Sequence, residues 1–197
     1  ADMVTATVPA GESPYAAAVN PLTNKIYVVN YESDNVTVID GATHDTALVA
    51  TGTGPRSVAV NPVTNKVYVT NSGSDNVTVI DGVTHATATV PAGTSPSALA
   101  VNLVTNRIYV ANESSNTVTV IEGATNGTTT VPAGTGPCAL AVNQVTNRIY
   151  VANEASNSVT IIDGATNDTT TISVGTSPCA VAVNPVTNKI YVANEAS

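Results

Sequence analysis

The stretch Pro14-Tyr-Ala-Ala-Ala-Val-Asn-Pro-Leu-Thr-Asn-Lys-Ile-Tyr-Val-Val-Asn30 returns, with few changes, as Pro55 to Asn71, Pro96 to Asn112, Pro137 to Asn153 and Pro178 to Asn194. The step is 41 residues each time, without insertion or deletion. A period of that length over a whole chain means one structural unit repeated side by side, so the architecture follows from a single repeat.

Each repeat reads as four short strands. In the first, strand A is about Tyr15 to Val19, strand B Ile26 to Val29, strand C Val36 to Ile39 and strand D Thr46 to Ala50. Between A and B, Asn20-Pro-Leu-Thr-Asn-Lys25 is a turn: proline presets φ and asparagine tolerates the left-handed conformation. Asp40-Gly41 is a hairpin signal between C and D. Strands B and C are apolar on both faces, which fits a sheet packed between two neighbours. No segment has helical periodicity, so a βα solenoid is excluded. The expected fold is all-β: a β-propeller of four-stranded blades, with residues 1 to 197 forming one domain. It holds five blades, or belongs to a larger propeller. In the first case Val4 to Val8 is expected to close the ring on Ile190 to Ala193. Since Phe and Trp are absent, the core must be Val, Ile, Ala and Leu. Replacing Pro21 or Gly41 is expected to matter less than replacing Val28 or Val38.

Tyr68-Val-Thr-Asn71 is the tetrapeptide that names the YVTN-type β-propeller repeat. Val-Thr-Val-Ile-Asp-Gly at 36 to 41 and 77 to 82 fits the later half of that repeat. The chain resembles surface-layer YVTN propellers of archaea and bacteria over nearly its whole length. Later repeats depart to Tyr-Val-Ala-Asn, which leaves the fold implication intact. The resemblance implies a cell-surface or extracellular setting and no particular activity.

Charged residues are only 10% of the chain, and its formal charge is −8. Phosphate backbones need clustered Lys and Arg, so nucleic acid is a poor partner. No apolar run has the length of a membrane span. In the four-strand order, the D–A and B–C loops share one end, here the top. It carries Glu12, Glu32, Asp34, Asp75, Glu113, Glu154 and Glu195 against Arg56 alone. The A–B and C–D turns at the bottom carry Lys25, Lys66, Arg107, Arg148 and Lys189, accompanied by Asp residues and Glu122. An acidic top suits a cation or a basic partner. Ordinary solvated loops, with the basic turn residues paired locally to the Asp-Gly turns, are the first explanation of this sorting.

Positions that break the repeat are the places to look for function. Directly after the first proline of each repeat stand Tyr15, Arg56, Ser97, Cys138 and Cys179, expected around the top mouth of the axis. With Tyr31 and Glu32 they form the candidate ligand-binding set. Cys138 and Cys179 are a candidate disulfide between adjacent blades, or two small thiols. The two histidines, His44 and His85, share one C–D turn position, too few ligands for a metal. Asn35, Asn76, Asn112, Asn126 and Asn167 match the glycosylation pattern. No catalytic residue, metal ligand set or cofactor motif is expected.

The functional expectation is a non-enzymatic, extracellular or cell-surface repeat protein: a scaffold, filament or adhesion module. Its partners would be proteins, or copies of itself through strand pairing or face stacking. The alternative is a ligand-binding or enzymatic propeller using the top face around the channel.

Overall fold

A computed structural model describes Val4 and residues 6–196. Four of its sheets are four-stranded antiparallel meanders and the fifth has two strands. The first sheet is β1 (Pro14–Asn20), β2 (Lys25–Asn30), β3 (Asn35–Asp40) and β4 (Thr46–Ala50). The second is β5 (Pro55–Asn61), β6 (Lys66–Asn71), β7 (Asn76–Asp81) and β8 (Thr87–Pro91). The third is β9 (Pro96–Asn102), β10 (Arg107–Asn112), β11 (Thr117–Glu122) and β12 (Thr128–Pro132). The fourth is β13 (Pro137–Asn143), β14 (Arg148–Asn153), β15 (Ser158–Asp163) and β16 (Thr169–Ser173). The fifth pairs β17 (Thr176–Asn184) with β18 (Lys189–Ala196). The strands expected in the first repeat fall inside β1 to β4, short by at most a residue at either end. Consecutive sheets stack through β1, β5, β9, β13 and β17, as blades of a β-propeller.

The core lies between blades. Tyr27, Val29, Val36, Val38 and Val49 of the first blade pack against Val67, Val69 and Ile80 of the second, joined by Val58 and Val60. The same set recurs one and two periods later, around Tyr68 and Tyr109. This is why strands B and C must be apolar on both faces: one face meets the previous blade, the other the next. β-Branched side chains suit that pleated, two-sided burial. Burial raises the Tyr68 hydroxyl to a pKa of about 12, so it stays neutral.

Two polar systems hold the framework, one between blades and one within each blade. At the bottom, the Asn20 side chain accepts from the Leu22 N–H and donates Nδ2 to Oδ1 of Asn65 in the next blade, at 2.8 Å. Asn61–Asn106, Asn102–Asn147 and Asn143–Asn188 repeat this link at 2.8 to 2.9 Å. The receiving asparagines sit in the left-handed region, with φ of 51 to 53° at Asn65, Asn106, Asn147 and Asn188, and Asn24 of the first blade shares that conformation at 53°. At the top, buried Asn30, Asn71, Asn112 and Asn153 each donate Nδ2 to the Thr two places into strand C, at 2.9 to 3.0 Å. The closing Asn of the Tyr-Val-x-Asn motif is therefore framework.

The expected ring closure is not found. β18 pairs only with β17 among the described residues, and Val4 and residues 6–10 form no strand. Thr5, which the expected clasp includes, lies outside the described residues, as do residues 1–3 and 197. The first and fifth blades each keep one face open: Tyr15 and Val19 on one, Tyr191 on the other, are all more than half exposed. The turn expectation at Gly41 is also corrected. A Cβ there would stand 2.6 Å from Asn24 Oδ1 and 2.8 Å from the Asn24 carbonyl oxygen, so the turn is packed, not loose. Val28, by contrast, lies on the open face and is only half-buried.

Candidate functional site

The position after the first proline of each repeat is a β-bulge in all five blades. Pro14 pairs with Asn30 and Ala16 with Val29, leaving Tyr15 as the extra residue. Arg56, Ser97, Cys138 and Cys179 are bulged in the same way. A bulge frees a side chain from the pleat and re-aims it, a device common beside binding sites. The chain thus places its most varied residue at the least regular point of each blade, at the top of the inner strand.

Neighbouring bulges touch the next blade. Ser97 Oγ donates to the Pro137 carbonyl at 3.3 Å, and Cys138 Sγ to the Pro178 carbonyl at 3.3 Å. Tyr15 and Tyr31 lie with ring centroids 6.2 Å apart and planes tilted by 39°. Arg56 Nη1 meets Glu113 Oε2 at 2.9 Å, with both side chains more than a third exposed. Burial pulls the Arg56 guanidinium pKa down, but the Tyr15 hydroxyl and the Glu113 carboxylate outweigh it and hold the value above normal. A pair this exposed contributes at most about 1 kcal/mol.

Of the expected site residues, the structure brings Tyr15, Tyr31 and Arg56 into one patch, with Glu113 added. Glu32 is exposed in the same loop as Tyr31. Ser97 is buried against the next blade, so it closes the framework instead of presenting itself to a ligand. Sequence reading missed Glu113 as a site residue because it counted it only among the top charges. One signal was present: the position after Tyr-Val-x-Asn also breaks the repeat, as Tyr31, Ser72, Glu113, Glu154 and Glu195.

The acidic top is less free than its charges suggest. Asp34 Oδ1 accepts from the Gly54 N–H at 2.8 Å, and Asp75 Oδ1 from the Ser95 N–H at 2.9 Å. Asn116 and Asn157 make the same bond to Gly136 and Ser177. Asparagine replaces aspartate there without loss of geometry, so the position requires an acceptor, not a charge.

Both cysteines are free thiols, so the candidate disulfide is not formed. Cys138 is half-buried and Cys179 exposed. Burial is the main cause of a raised Cys138 pKa, with the nearby Glu154 carboxylate adding to it. Since the thiolate is the nucleophile, Cys179 should react with an alkylating reagent such as iodoacetamide several-fold faster than Cys138 at pH 8. Timed alkylation read by peptide mass spectrometry checks this; equal rates, or an unreactive pair, would contradict the placement.

The two histidines serve the C–D turns. His44 and His85 have φ of 66° and 59°, and their N–H groups donate to the Asp40 and Asp81 carbonyls at 2.9 Å. Asn126 and Asn167 fill the same left-handed position. Asp40 and Asp81 cap these turns. The N–H groups of Ala42 and Thr43 lower the Asp40 pKa, and those of Thr84 and Val83 lower that of Asp81. Among the described residues no group of three His, Cys, Asp or Glu is placed to hold a metal.

One glycosylation expectation is corrected. Asn112 is fully buried and its Nδ2 is bonded to Thr117 and Thr119, so a glycan there is incompatible with the fold. Asn35 and Asn76 are half-buried, with Nδ2 donating to the Ser33 and Ser74 carbonyls. Asn126 and Asn167 sit in the bottom turns, half-buried.

No protein-family model matches the chain, and no curated protein matches it in sequence. Among solved structures it is similar to Kuenenia stuttgartiensis hydrazine synthase, with a TM-score of 0.81 and 21% identity. That match covers 97% of this chain and 58% of the other. It is also similar to a functionally unknown protein from Desulfotomaculum acetoxidans DSM 771, with a TM-score of 0.81 and 16% identity. There the match covers 95% of this chain and 65% of the other. The chain therefore spans less than two thirds of either structure, and identities this low carry the fold alone.

Proposed function

We propose that this β-propeller chain is a non-enzymatic module of the cell surface or extracellular space, of the YVTN type, that works as a scaffold or adhesion unit and meets proteins or its own copies. The observation that carries this reading is where its polar side chains go. The recurring Asn, Thr and Asp residues are hydrogen-bonded within and between blades, through Asn20–Asn65, Asn30–Thr37, Asp34–Gly54 and their repeats. A chain that commits its repeated polar groups to rigidity suits a mechanical or display role. The Tyr68-Val-Thr-Asn71 motif and the low charge content support the surface setting.

The likeness to hydrazine synthase, an enzyme by its title, is a likeness of fold. The second reading, a ligand site at the top, draws on the patch of Tyr15, Tyr31, Arg56 and Glu113. Treating intact native cells with a membrane-impermeant amine reagent tests the surface reading. Exposed Lys189 should be modified on intact cells. Modification only after lysis would overturn the proposal.

A further inference from the structure

The top patch gathers residues that break the repeat, and its chemistry narrows what it can hold. Tyr31 comes from the β2–β3 loop of the first blade, Arg56 from the β5 bulge of the second and Glu113 from the β10–β11 loop of the third. Tyr15, bulged on β1, sits against Tyr31 and acts on the Arg56 guanidinium. Tyr31 is 42% exposed, yet its ring leans on the second blade: Cε2 lies 3.4 Å from where a Gly54 Cβ would stand. The aromatic platform therefore belongs to the junction of the first two blades.

Neither sign of charge suits this place. An anion would be drawn to Arg56, but that guanidinium is paired with Glu113 at 2.9 Å. Glu12 and Glu32 flank the tyrosine as well; the Glu12 N–H donates to Ser33 Oγ in the loop that carries Tyr31 and Glu32. A cation would be drawn to those carboxylates and to the ring faces, but Arg56 holds the place beside Tyr15. A neutral ligand escapes both penalties. The groups left to it are specific. Arg56 spends Nη1 on Glu113 Oε2 and keeps most of its N–H donors, while Glu113 Oε1 accepts no hydrogen bond among the described residues. A planar fork of donors beside a free carboxylate oxygen matches two neighbouring hydroxyls, since a hydroxyl both donates and accepts. The exposed ring beside them offers a negative face that attracts C–H hydrogens carrying partial positive charge. A molecule with hydroxyls along its rim and C–H groups on its face is a sugar ring.

We propose that the top patch binds a neutral saccharide, one face of the sugar ring stacked on Tyr31 and two adjacent hydroxyls held by Arg56 and Glu113, with Tyr15 positioning the guanidinium. The proposal rests on the second reading above, a ligand site at the top, and names the ligand class of that site. It also fits an adhesion unit, whose target would then be a glycan. The patch is open and shallow, so a single sugar ring should bind at about millimolar affinity. Several copies displayed together would hold a glycan-bearing surface far more tightly through multivalency.

Saturation-transfer NMR tests it, with the intact chain and the neutral methyl glycosides of glucose, galactose, mannose and N-acetylglucosamine. At least one should receive saturation, strongest at the hydrogens of one ring face. The signal should persist from about 0.1 to about 1 M sodium chloride, because no net charge is engaged. Tyr31→Phe should bind as the wild type does. Tyr31→Ala should weaken binding about tenfold, and Arg56→Lys, which keeps the charge and loses the fork, by a similar factor. Both positions are part-exposed, so circular dichroism should stay unchanged. Saturation of none of the glycosides overturns the proposal, as does binding that survives Tyr31→Ala or is lost in salt. If the glycosides fail and a lysine-rich peptide instead shifts the Tyr31 and Arg56 resonances, the sugar falls and the ligand-site reading of the top stands. If neither binds, both fall.

Discussion

Tyr109→Ala should destabilise the protein by about 3–5 kcal/mol, the range for removing a large buried ring. Tyr191→Ala, at the identical repeat position, should change stability by no more than about 0.5 kcal/mol. Tyr109 is fully buried and packs with Val118, Val120 and Val131 against Ile149, Val151 and Ile162 of the next blade. Tyr191 has the same local sequence and strand register, with Ala182 opposite it as Ala100 stands opposite Tyr109. The two differ in their surroundings: Tyr109 has β11 and β12 of its own blade and a blade beyond, and Tyr191 has neither among the described residues. Urea midpoints, measured dilute enough to keep the chain monomeric, separate the cases. Equal losses at the two sites would mean that the β17–β18 face is covered in the isolated molecule, against the exposure of Tyr191. Stability in a repeat array is the sum of units and their junctions, so the Tyr109 loss should show first in the third and fourth blades.

The same contrast explains what was legible in the sequence. Strand positions were readable because period-two burial on both faces leaves an unmistakable run such as Val77-Thr-Val-Ile80. The left-handed asparagines were readable because a turn needs them locally. Which faces stay open was not, because Tyr191 and Tyr109 share the run Ile-Tyr-Val-Ala-Asn and differ in the strands and blade that surround them. The interblade bonds, Asn20 to Asn65 and Asp34 to Gly54, join residues far apart in the chain, and no local signal marks them. The acidic top misled for that reason: Asp34 and Asp75 look like solvated charges until their backbone partners are known. The bulges were half legible. The variation among Tyr15, Arg56, Ser97, Cys138 and Cys179 marked the position, but the pairing shift that re-aims it appears only in the register. The Arg56–Glu113 pair joins two symmetry-breaking positions in adjacent blades, and only the stacking of those blades brings them together.

Gly41→Ala should cost about 1–3 kcal/mol, the usual range for forcing an extra carbon into a packed site. The backbone N–H of Gly41 donates to the Asn24 carbonyl at 2.8 Å, which draws the C–D turn down onto the A–B turn. An added Cβ would meet Asn24 Oδ1 at 2.6 Å and the Asn24 carbonyl oxygen at 2.8 Å. Real Cβ atoms do not approach so closely, and the backbone oxygen cannot swing away as a flexible side chain would. Gly82, Gly123 and Gly164 meet Asn65, Asn106 and Asn147 in the same way, so each period carries the constraint. Asn24 is itself held in the left-handed region, which leaves little slack for the turn to move as a body. Val38→Ala, which opens a cavity at a buried position, should cost about 1–4 kcal/mol. Val28→Ala on the open face should cost less than either, and a replacement at exposed Pro21 less still. Thermal midpoints of the four variants give the order directly. If Gly41→Ala proves as mild as Val28→Ala, the two bottom turns are not in contact, and the packing of the blade ends described here is wrong.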